Sequence, residues 1–134
     1  MCHLWPNASK AKKSLLIAIQ ENADVKLLRA VQVNIIGAEE CKEIYAWKYD
    51  LTPRMVCAGV PEGEKDICSG DNGGALVLKK SGKQVGVVSY GLGPCQDKDN
   101  PGVYANVADK EIHDFIYNQL QELSFVASPN GSEV

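Results

Sequence analysis

The stretch that decides the fold is "DICSGDNGGALV", residues 66–77. Its middle consists of serine, glycine, aspartate and asparagine, the residues that favour turns, and its end opens the apolar run that begins at Ala75. The stretch therefore predicts a loop that leads directly into a strand. Asn72 lies at the centre of this loop. The function of the whole chain depends on the chemistry that the carboxamide of Asn72 allows in this loop.

The composition predicts one folded domain. The chain has 134 residues, of which 45% are hydrophobic and 23% charged, and its formal net charge is −3. These values allow one proper core and differ from those of disordered chains. A negative net charge gives no reason to expect nucleic acid or a membrane as partner, since both are normally bound by basic surfaces. The apolar run Leu15–Ile19 is also too short to span a membrane.

The cysteines indicate disulfides and an oxidising compartment. No two of them form a CxxC pair and histidines are few, so we expect neither a zinc site nor any other metal or cofactor. Disulfides, together with sequons at Asn7 and Asn130, indicate secretion. Because no leader is visible, we expect that the true N-terminus is missing. The five cysteines are Cys2, Cys41, Cys57, Cys68 and Cys95.

The order of elements predicts an all-β fold that is closed by a helix. Short apolar or alternating runs are separated by turns rich in glycine and proline, and the last apolar residues recur at helical spacing behind Asp109, which can cap the first turn. We expect a domain over residues 25–123, an unassigned segment over 1–24 and a disordered tail over 124–134. The predicted strands are Val25–Ile36, Arg54–Ala58, Ala75–Leu78, Gln84–Tyr90 and Val103–Val107, and the predicted helices are Ala38–Tyr45 and Asp109–Leu123.

Four motifs, in this order, resemble the C-terminal β-barrel of a trypsin-like (chymotrypsin-family) serine protease. They are "RAVQVNIIGAEEC", then "MVCAG" with "KDICSGDNGG", then "VGVVSYG", and finally "NPGVYANV" before the terminal helix. The resemblance implies a single antiparallel barrel and covers about Val25 to Leu123. The preceding "SLLIAIQENA" lacks the Gly-Trp-Gly turn that is usual in that region.

The resemblance implies which residue of the family Asn72 replaces. In the family the loop reads Gly-Asp-Ser-Gly-Gly-Pro, and the serine hydroxyl attacks the scissile carbonyl after a histidine has taken its proton. Asn72 stands at that serine, and its carboxamide has no proton that a base could remove to make a nucleophile. The pair Asn72-Gly73 is also typical of a tight hairpin, but the flanking residues do not alternate, so we favour the family loop.

The family's base and orienting aspartate belong to the other barrel. The two histidines of the sequence, His3 and His113, offer no replacement: His3 precedes the matching region, and His113 falls on the terminal helix, where a surface or packing role is expected. Ser69 resembles a residue at the rim of the substrate pocket rather than a nucleophile. We therefore predict that the chain is catalytically inactive.

The resemblance also implies a recognition apparatus. Backbone N–H groups of Gly70 and Asn72 match the oxyanion hole. Asp66 matches the base of a pocket that receives Lys or Arg. Asp71 matches the acid that binds the new N-terminal amine on activation. The remaining matches are the pocket and substrate-strand residues Ser89, Tyr90, Gly91 and Gly102, and the disulfides Cys41–Cys57 and Cys68–Cys95, which leave Cys2 without a partner.

These matches predict a partial, inactive serine protease homologue that acts as a binding or regulatory module. Its expected partners are another polypeptide chain or a second copy, with Asp66 favouring a Lys- or Arg-containing peptide. Two alternatives remain open. The chain is an incomplete gene product without a stable function, or it belongs to a secreted protease that cleaves after Lys or Arg once it is complete.

Overall fold

The computed structural model describes residues 13–22, 25–60, 71–91 and 99–126. Six strands and two helices lie in these ranges. In chain order they are β1 (Lys13–Asn22), β2 (Val25–Ile36), α1 (Ala38–Tyr45), β3 (Met55–Gly59), β4 (Ala75–Leu78), β5 (Gln84–Tyr90), β6 (Gly102–Asn106) and α2 (Lys110–Val126).

The strands form one closed antiparallel barrel, which confirms the predicted fold class. Neighbours around the barrel follow the order β1-β2-β3-β6-β5-β4, and β4 pairs back with β1. Closure gives the paired backbone groups partners on both sides, so the barrel has no need of a further sheet to protect its edges. The helix α2 follows β6 at the end of the described chain.

The sequence left strand β1 unassigned, and the structure places this strand in the barrel, ahead of the predicted boundary at residue 25. Residues Ser14–Ile17 of β1 pair with β4, while the whole strand pairs with β2. The strand has no clear polar and apolar alternation, because Leu15–Ile19 is apolar throughout, so the period that marks a half-buried strand is missing. Its place depends on pairing with β4, which is distant in sequence.

The other elements follow their predictions closely. Strands β2, β4 and β5 and helix α1 have the predicted bounds. Strand β3 begins and ends one residue later than expected, and β6 one residue earlier. Helix α2 continues to Val126, so residues 124–126 do not belong to the predicted tail. Residues 1–12 and 127–134 lie outside the described part of the chain.

Side-chain alternation along the strands sorts the core into two clusters. The inner cluster lies inside the barrel, and the disulfide cluster lies outside it, beneath α1; Ala58 belongs to the first and its neighbour Cys57 to the second. Gly86 has no side chain that would crowd Tyr104 inside the barrel. A Cβ atom at residue 86 would lie only 3.0 Å from Cβ of Tyr104. The inner cluster comprises Val33, Ala58, Leu76, Val88 and Tyr104, and the disulfide cluster Ile36, Cys41, Tyr45, Leu51, Cys57 and Val103.

Both helices begin where the sequence predicts a cap or a favourable charge. Glu39 and Glu40 lie in the first turn of α1, where the helix dipole favours negative charge. At the start of α2, the Asp109 carboxylate accepts hydrogen bonds from the backbone N–H groups of Glu111 (3.1 Å) and Ile112 (3.3 Å). The predicted cap of α2 is thus confirmed.

Candidate functional site

The loop that carries Asn72 is a tight turn at the entrance of β4. The backbone N–H of Gly74 donates to the carbonyl oxygen of Asp71 over 2.9 Å, which closes the turn around Asn72 and Gly73. Gly73 has φ +85°, a conformation that side chains other than glycine rarely adopt. Asn72 itself is exposed, whereas Asp71 is only 5% exposed. The turn therefore presents Asn72 to solvent and directs its aspartate neighbour inward.

Strand β5 holds this turn in place. The N–H of Gly73 donates to the carbonyl oxygen of Val88 over 3.0 Å, and the N–H of Val88 donates to the carbonyl oxygen of Gly74 over 2.8 Å. Since Ser89 follows Val88 directly, the Asn72 turn lies beside the start of the predicted substrate strand. The structure thus brings two separate sequence motifs together through backbone hydrogen bonds.

The end of β5, which leads to Gly91, pairs with the start of β6, which begins at Gly102. Tyr90 pairs with Val103. The register shifts between Val88 and Tyr90, so Ser89 occupies a bulge and its side chain is exposed. The exposed hydroxyl of Ser89 therefore lies next to Val88, whose backbone holds the Asn72 turn.

Tyr90 turns toward the disulfide cluster. Its ring centroid lies 5.4 Å from that of Tyr49, and its hydroxyl lies 3.8 Å from Sδ of Met55. Partial burial, and secondarily the neighbouring Tyr49, raise the pKa of Tyr90 above its usual value. The hydroxyl therefore remains neutral at physiological pH and acts as a packing and hydrogen-bonding group.

The predicted disulfide Cys41–Cys57 is confirmed, and it joins the first helix to the barrel. It ties α1 to β3, with 6.3 Å between the two Cα atoms. Strand β3 in turn pairs with β6 so that Ala58 lies opposite Gly102. The fully buried Tyr45 of α1 adds a second tie, because its hydroxyl donates to the carbonyl oxygen of Pro101.

Several predicted site residues lie outside the described residues. Asp66, Cys68, Ser69 and Gly70 fall within residues 61–70, and Cys95 within 92–98. The specificity-pocket role of Asp66, the oxyanion role of Gly70 and the disulfide Cys68–Cys95 therefore stay predictions. The roles assigned to Asn72, Asp71, Ser89, Tyr90, Gly91 and Gly102 also stay predictions, although the described turn and strands bring these residues into one region.

His113 belongs to the surface of α2. Its ring stacks on that of Tyr117, with centroids 6.3 Å apart, and its Nδ1 lies 3.7 Å from a carboxylate oxygen of Asp114. Its side chain is 60% exposed. Among the described residues, no three histidine, cysteine or acidic side chains are grouped so that they could hold a metal ion. No helix in the described part is long and apolar enough to cross a membrane.

An aromatic group beside β5 was not anticipated from the sequence. Trp47 is 70% exposed, and the ammonium of Lys48 lies 5.5 Å and 5.6 Å from the ring centroids of Trp47 and Tyr49. Tyr49 connects this group to Tyr90. The aromatic residues in "YAWKY" were the available signal, but their contact with β5 depends on the tertiary fold.

Comparison with known proteins agrees with this fold and arrangement. The family model described as Trypsin matches residues 7–116, and the chain therefore belongs to the trypsin family. The match includes strand β1, which agrees with its place in the barrel. Among solved structures, neuropsin, a serine protease expressed in the limbic system of mouse brain, superposes with a TM-score of 0.66 at 27% identity, over 82% of this chain and 48% of that chain.

Two curated relatives show how far the likeness extends. The vitellin-degrading protease of Bombyx mori is 51% identical over 82 residues, which are 61% of this chain and 30% of the relative. Trypsin eta of Drosophila melanogaster is 48% identical over 81 residues, which are 60% of this chain and 29% of the relative. The matched region spans less than a third of the length of these relatives.

Proposed function

We propose that this trypsin-family chain is a catalytically inactive barrel that binds polypeptides. The observation that carries the proposal is that Asn72 is exposed at the tip of a tight turn, which we assign to the family's nucleophile loop with Asn72 in place of the serine. An amide nitrogen is not a nucleophile near neutral pH, and its carbonyl oxygen cannot be activated by proton removal. Acyl-enzyme formation through this residue is therefore excluded by its chemistry.

The features that would recognise a peptide do not need the serine hydroxyl. We assign pairing with an extended peptide to the backbone near Ser89, and Gly91 and Gly102 to the walls of a space for a long side chain. We assign Asp66 to the base of this space, where its carboxylate would bind Lys or Arg, and the backbone N–H groups of Gly70 and Asn72 to the substrate carbonyl.

Active-site titration tests the catalytic part of the proposal. A titrant that acylates trypsin-like nucleophiles should give no burst with the purified chain. The variant Asn72→Ser should also give none, because a hydroxyl without a base remains a weak nucleophile. A stoichiometric burst from the unmodified chain would show that the proposal of inactivity is wrong.

Binding of benzamidine, an amidine that mimics an arginine head group, tests the recognition part. We expect binding that Asp66→Asn weakens by about tenfold or more, the loss typical of one charge-assisted contact. Asp50→Asn is the matched control, because it removes the same charge from an exposed site and should leave binding unchanged. Equal losses in both variants would contradict a pocket at Asp66.

A second candidate is that the chain forms part of a secreted protease that hydrolyses peptide bonds after Lys or Arg. The names of the relatives favour it: one degrades vitellin and another is a trypsin. The confirmed disulfide supports secretion, because disulfides persist in oxidising compartments. Mass spectrometry of the intact polypeptide from culture medium distinguishes the two. A longer chain that hydrolyses Arg esters would favour the second candidate, and a chain of this mass without activity the first.

A further inference from the structure

Met55 and Tyr90 form a side-chain contact that the proposed function does not use. The Tyr90 hydroxyl lies 3.8 Å from Sδ of Met55 and donates a hydrogen bond to that sulfur. A thioether sulfur is a weak acceptor, so this bond satisfies the phenolic donor poorly. Both side chains are half-buried and pack against the disulfide cluster. A hydroxyl donor is thus held beside a sulfur that can be converted into a better acceptor.

Backbone pairing fixes the positions of these two residues. Met55 begins β3 and pairs with Ala105 of β6, while Tyr90 ends β5 and pairs with Val103 of the same strand. The N–H of Met55 also donates to the carbonyl oxygen of Thr52 over 3.0 Å. Because β6 lies between β3 and β5 in the barrel, the sulfur and the hydroxyl stay close to each other as long as the barrel is folded.

From this contact we propose that Met55 is a reversible oxidation site whose sulfoxide is bound by the Tyr90 hydroxyl. The oxidant is a hydroperoxide. Its O–O bond breaks, one oxygen forms a bond to Sδ, the sulfur gives up two electrons, and the peroxide leaves as water or an alcohol. The side chain becomes polar, and its new oxygen is a stronger acceptor than the sulfur. Methionine sulfoxide reductases reverse the step with two thiols, which become a disulfide, and the oxygen leaves as water.

The distance between the sulfur and the hydroxyl leaves room for the added oxygen. A sulfur–oxygen bond is about 1.5 Å long, so with an angle of about 125° at the added oxygen, this oxygen lies about 2.7 Å from the phenolic oxygen, a normal O–H···O distance. The hydrogen bond therefore requires no movement of either strand. The hydroxyl is available as a donor, because partial burial raises the pKa of Tyr90 above its usual value.

The surroundings of Met55 also suit oxidation and its measurement. Its side chain is half-buried, so part of it is open to a molecule as small as a peroxide. The sequence has one other methionine, Met1, and peptide mapping separates the two. Because Tyr90 belongs to the strand that we assign to peptide binding, oxidation should also affect that site. This last consequence rests on the proposed function, whereas the oxidation and its hydrogen bond do not depend on Asn72 or Asp66.

Oxidation of the full chain with hydrogen peroxide tests the proposal. Peptide mapping should find Met55 converted to the sulfoxide in the folded chain, at a rate within about tenfold of that in urea, because half-burial slows access without preventing it. Oxidation should raise the equilibrium constant for unfolding by about tenfold more in Tyr90→Phe than in the unmodified chain, because the variant leaves the sulfoxide oxygen without its donor. Tyr117→Phe is the matched control: it removes an exposed hydroxyl from α2 and should behave as the unmodified chain.

An NMR titration of tyrosines that are isotopically labelled at Cζ measures the new hydrogen bond without a substitution at Tyr90. A stronger acceptor stabilises the neutral phenol, so oxidation should raise the pKa of Tyr90 further, and methionine sulfoxide reductases should reverse this rise. Met55→Leu is the control, because peroxide should then leave both the pKa and the unfolding unchanged. A Met55 that resists peroxide in the folded chain would overturn the proposal. So would an unaltered pKa of Tyr90 after oxidation, or equal effects of oxidation in Tyr90→Phe and the unmodified chain.

Discussion

Strand β6 and helix α2 follow each other along the chain, but their side chains meet opposite environments. In β6 the first three residues are buried, and Val103 and Tyr104 belong to different clusters on the two sides of the strand. In α2 no side chain between Lys110 and Ser124 is fully buried. The strand lies between β3 and β5 in the barrel. The helix instead has a capped first turn, an ion pair to the barrel and charge pairs on its own surface.

This difference shows where the stability of the molecule resides. The barrel interior buries one face of β6 and the disulfide cluster beneath α1 buries the other, so that substitutions there change the free energy of unfolding of the whole domain. Local interactions hold α2, and each of them contributes little on its own. We therefore expect large effects on unfolding from the barrel and small ones from the helix, whose apolar side chains at Phe115, Leu120 and Leu123 are exposed.

The largest expected effect is on the free energy of unfolding, and it differs between Tyr104 of β6 and Tyr117 of α2. Tyr104→Ala empties the inner cluster and should lower the free energy of unfolding by about 3–5 kcal/mol, the usual cost of removing a buried aromatic side chain. Tyr117→Ala removes the same atoms from an exposed site on α2 and should cost less than about 0.5 kcal/mol. Urea unfolding gives both values, and similar values would contradict the contrast between strand and helix.

The disulfide should have the next largest effect. Replacing Cys41 and Cys57 together by alanine opens a loop whose ends are 16 residues apart, and chain entropy predicts a loss of about 3 kcal/mol. Because this link positions β3 and hence Gly102, we also expect weaker benzamidine binding in a double variant that is still folded. Cys2→Ala is the control and should leave both measurements unchanged. An unaltered unfolding midpoint in the double variant would contradict this role.

The contrast between β6 and α2 also explains what the sequence could predict. Val31, Val33 and Ile35 alternate with Gln32 and Asn34, and β2 has its predicted bounds because that period records which face is buried. For α2, the helical spacing of apolar residues such as Ile112, Ile116 and Leu120 predicted the helix correctly. It could not show whether the barrel covers the apolar side, because an amphipathic pattern does not identify the surface that meets it.

The candidate site also has one part that the sequence predicts and one part that only the fold shows. The loop residues Asp71 to Gly74 were found by resemblance to the family. The turn itself follows from the local sequence, since it has positive φ at residue 73, where the sequence has a glycine. The bulge at Ser89 and the contact of Tyr49 with Tyr90 arise from β5 and β6 pairing and from the packing of α1. Such contacts between distant residues leave no periodic signal in a single sequence.

The capping residue of α2 should have a moderate effect that is confined to the helix. Asp109→Ala removes the acceptor for the N–H groups of Glu111 and Ile112 and should cost about 1 kcal/mol. We expect loss of helical circular dichroism near the start of α2, with faster amide exchange there and unchanged exchange in β6. Asp109→Ser is the control, because serine also caps helices well. Equal losses with serine and alanine would show that capping is not the cause.

The smallest expected effect concerns the pair Lys110–Asp114 on the exposed side of α2. The hydrogen bond from Lys110 lowers the pKa of Asp114, and the same bond raises the pKa of Lys110. A lowered carboxyl pKa means that the pair stabilises the helix above the ordinary aspartate value of about 4. This contribution is lost as the pH falls through the lowered value of the folded state. The raised pKa of Lys110 limits the stabilisation at high pH. The contribution of the lysine is lost as the pH rises through the raised value of the folded state.

An NMR titration of the Asp114 carboxyl measures this effect directly. Lys110→Gln should return the pKa of Asp114 toward its ordinary value, and added salt should shift it in the same direction, because both side chains are exposed. Lys42→Gln, a matched change on α1, should leave it unaltered. An ordinary pKa in the unmodified chain would contradict the pair. A lowered pKa without a measurable change in the urea midpoint would sharpen the contrast with Tyr104, because it would show a real contact on α2 that adds little to the stability of the barrel.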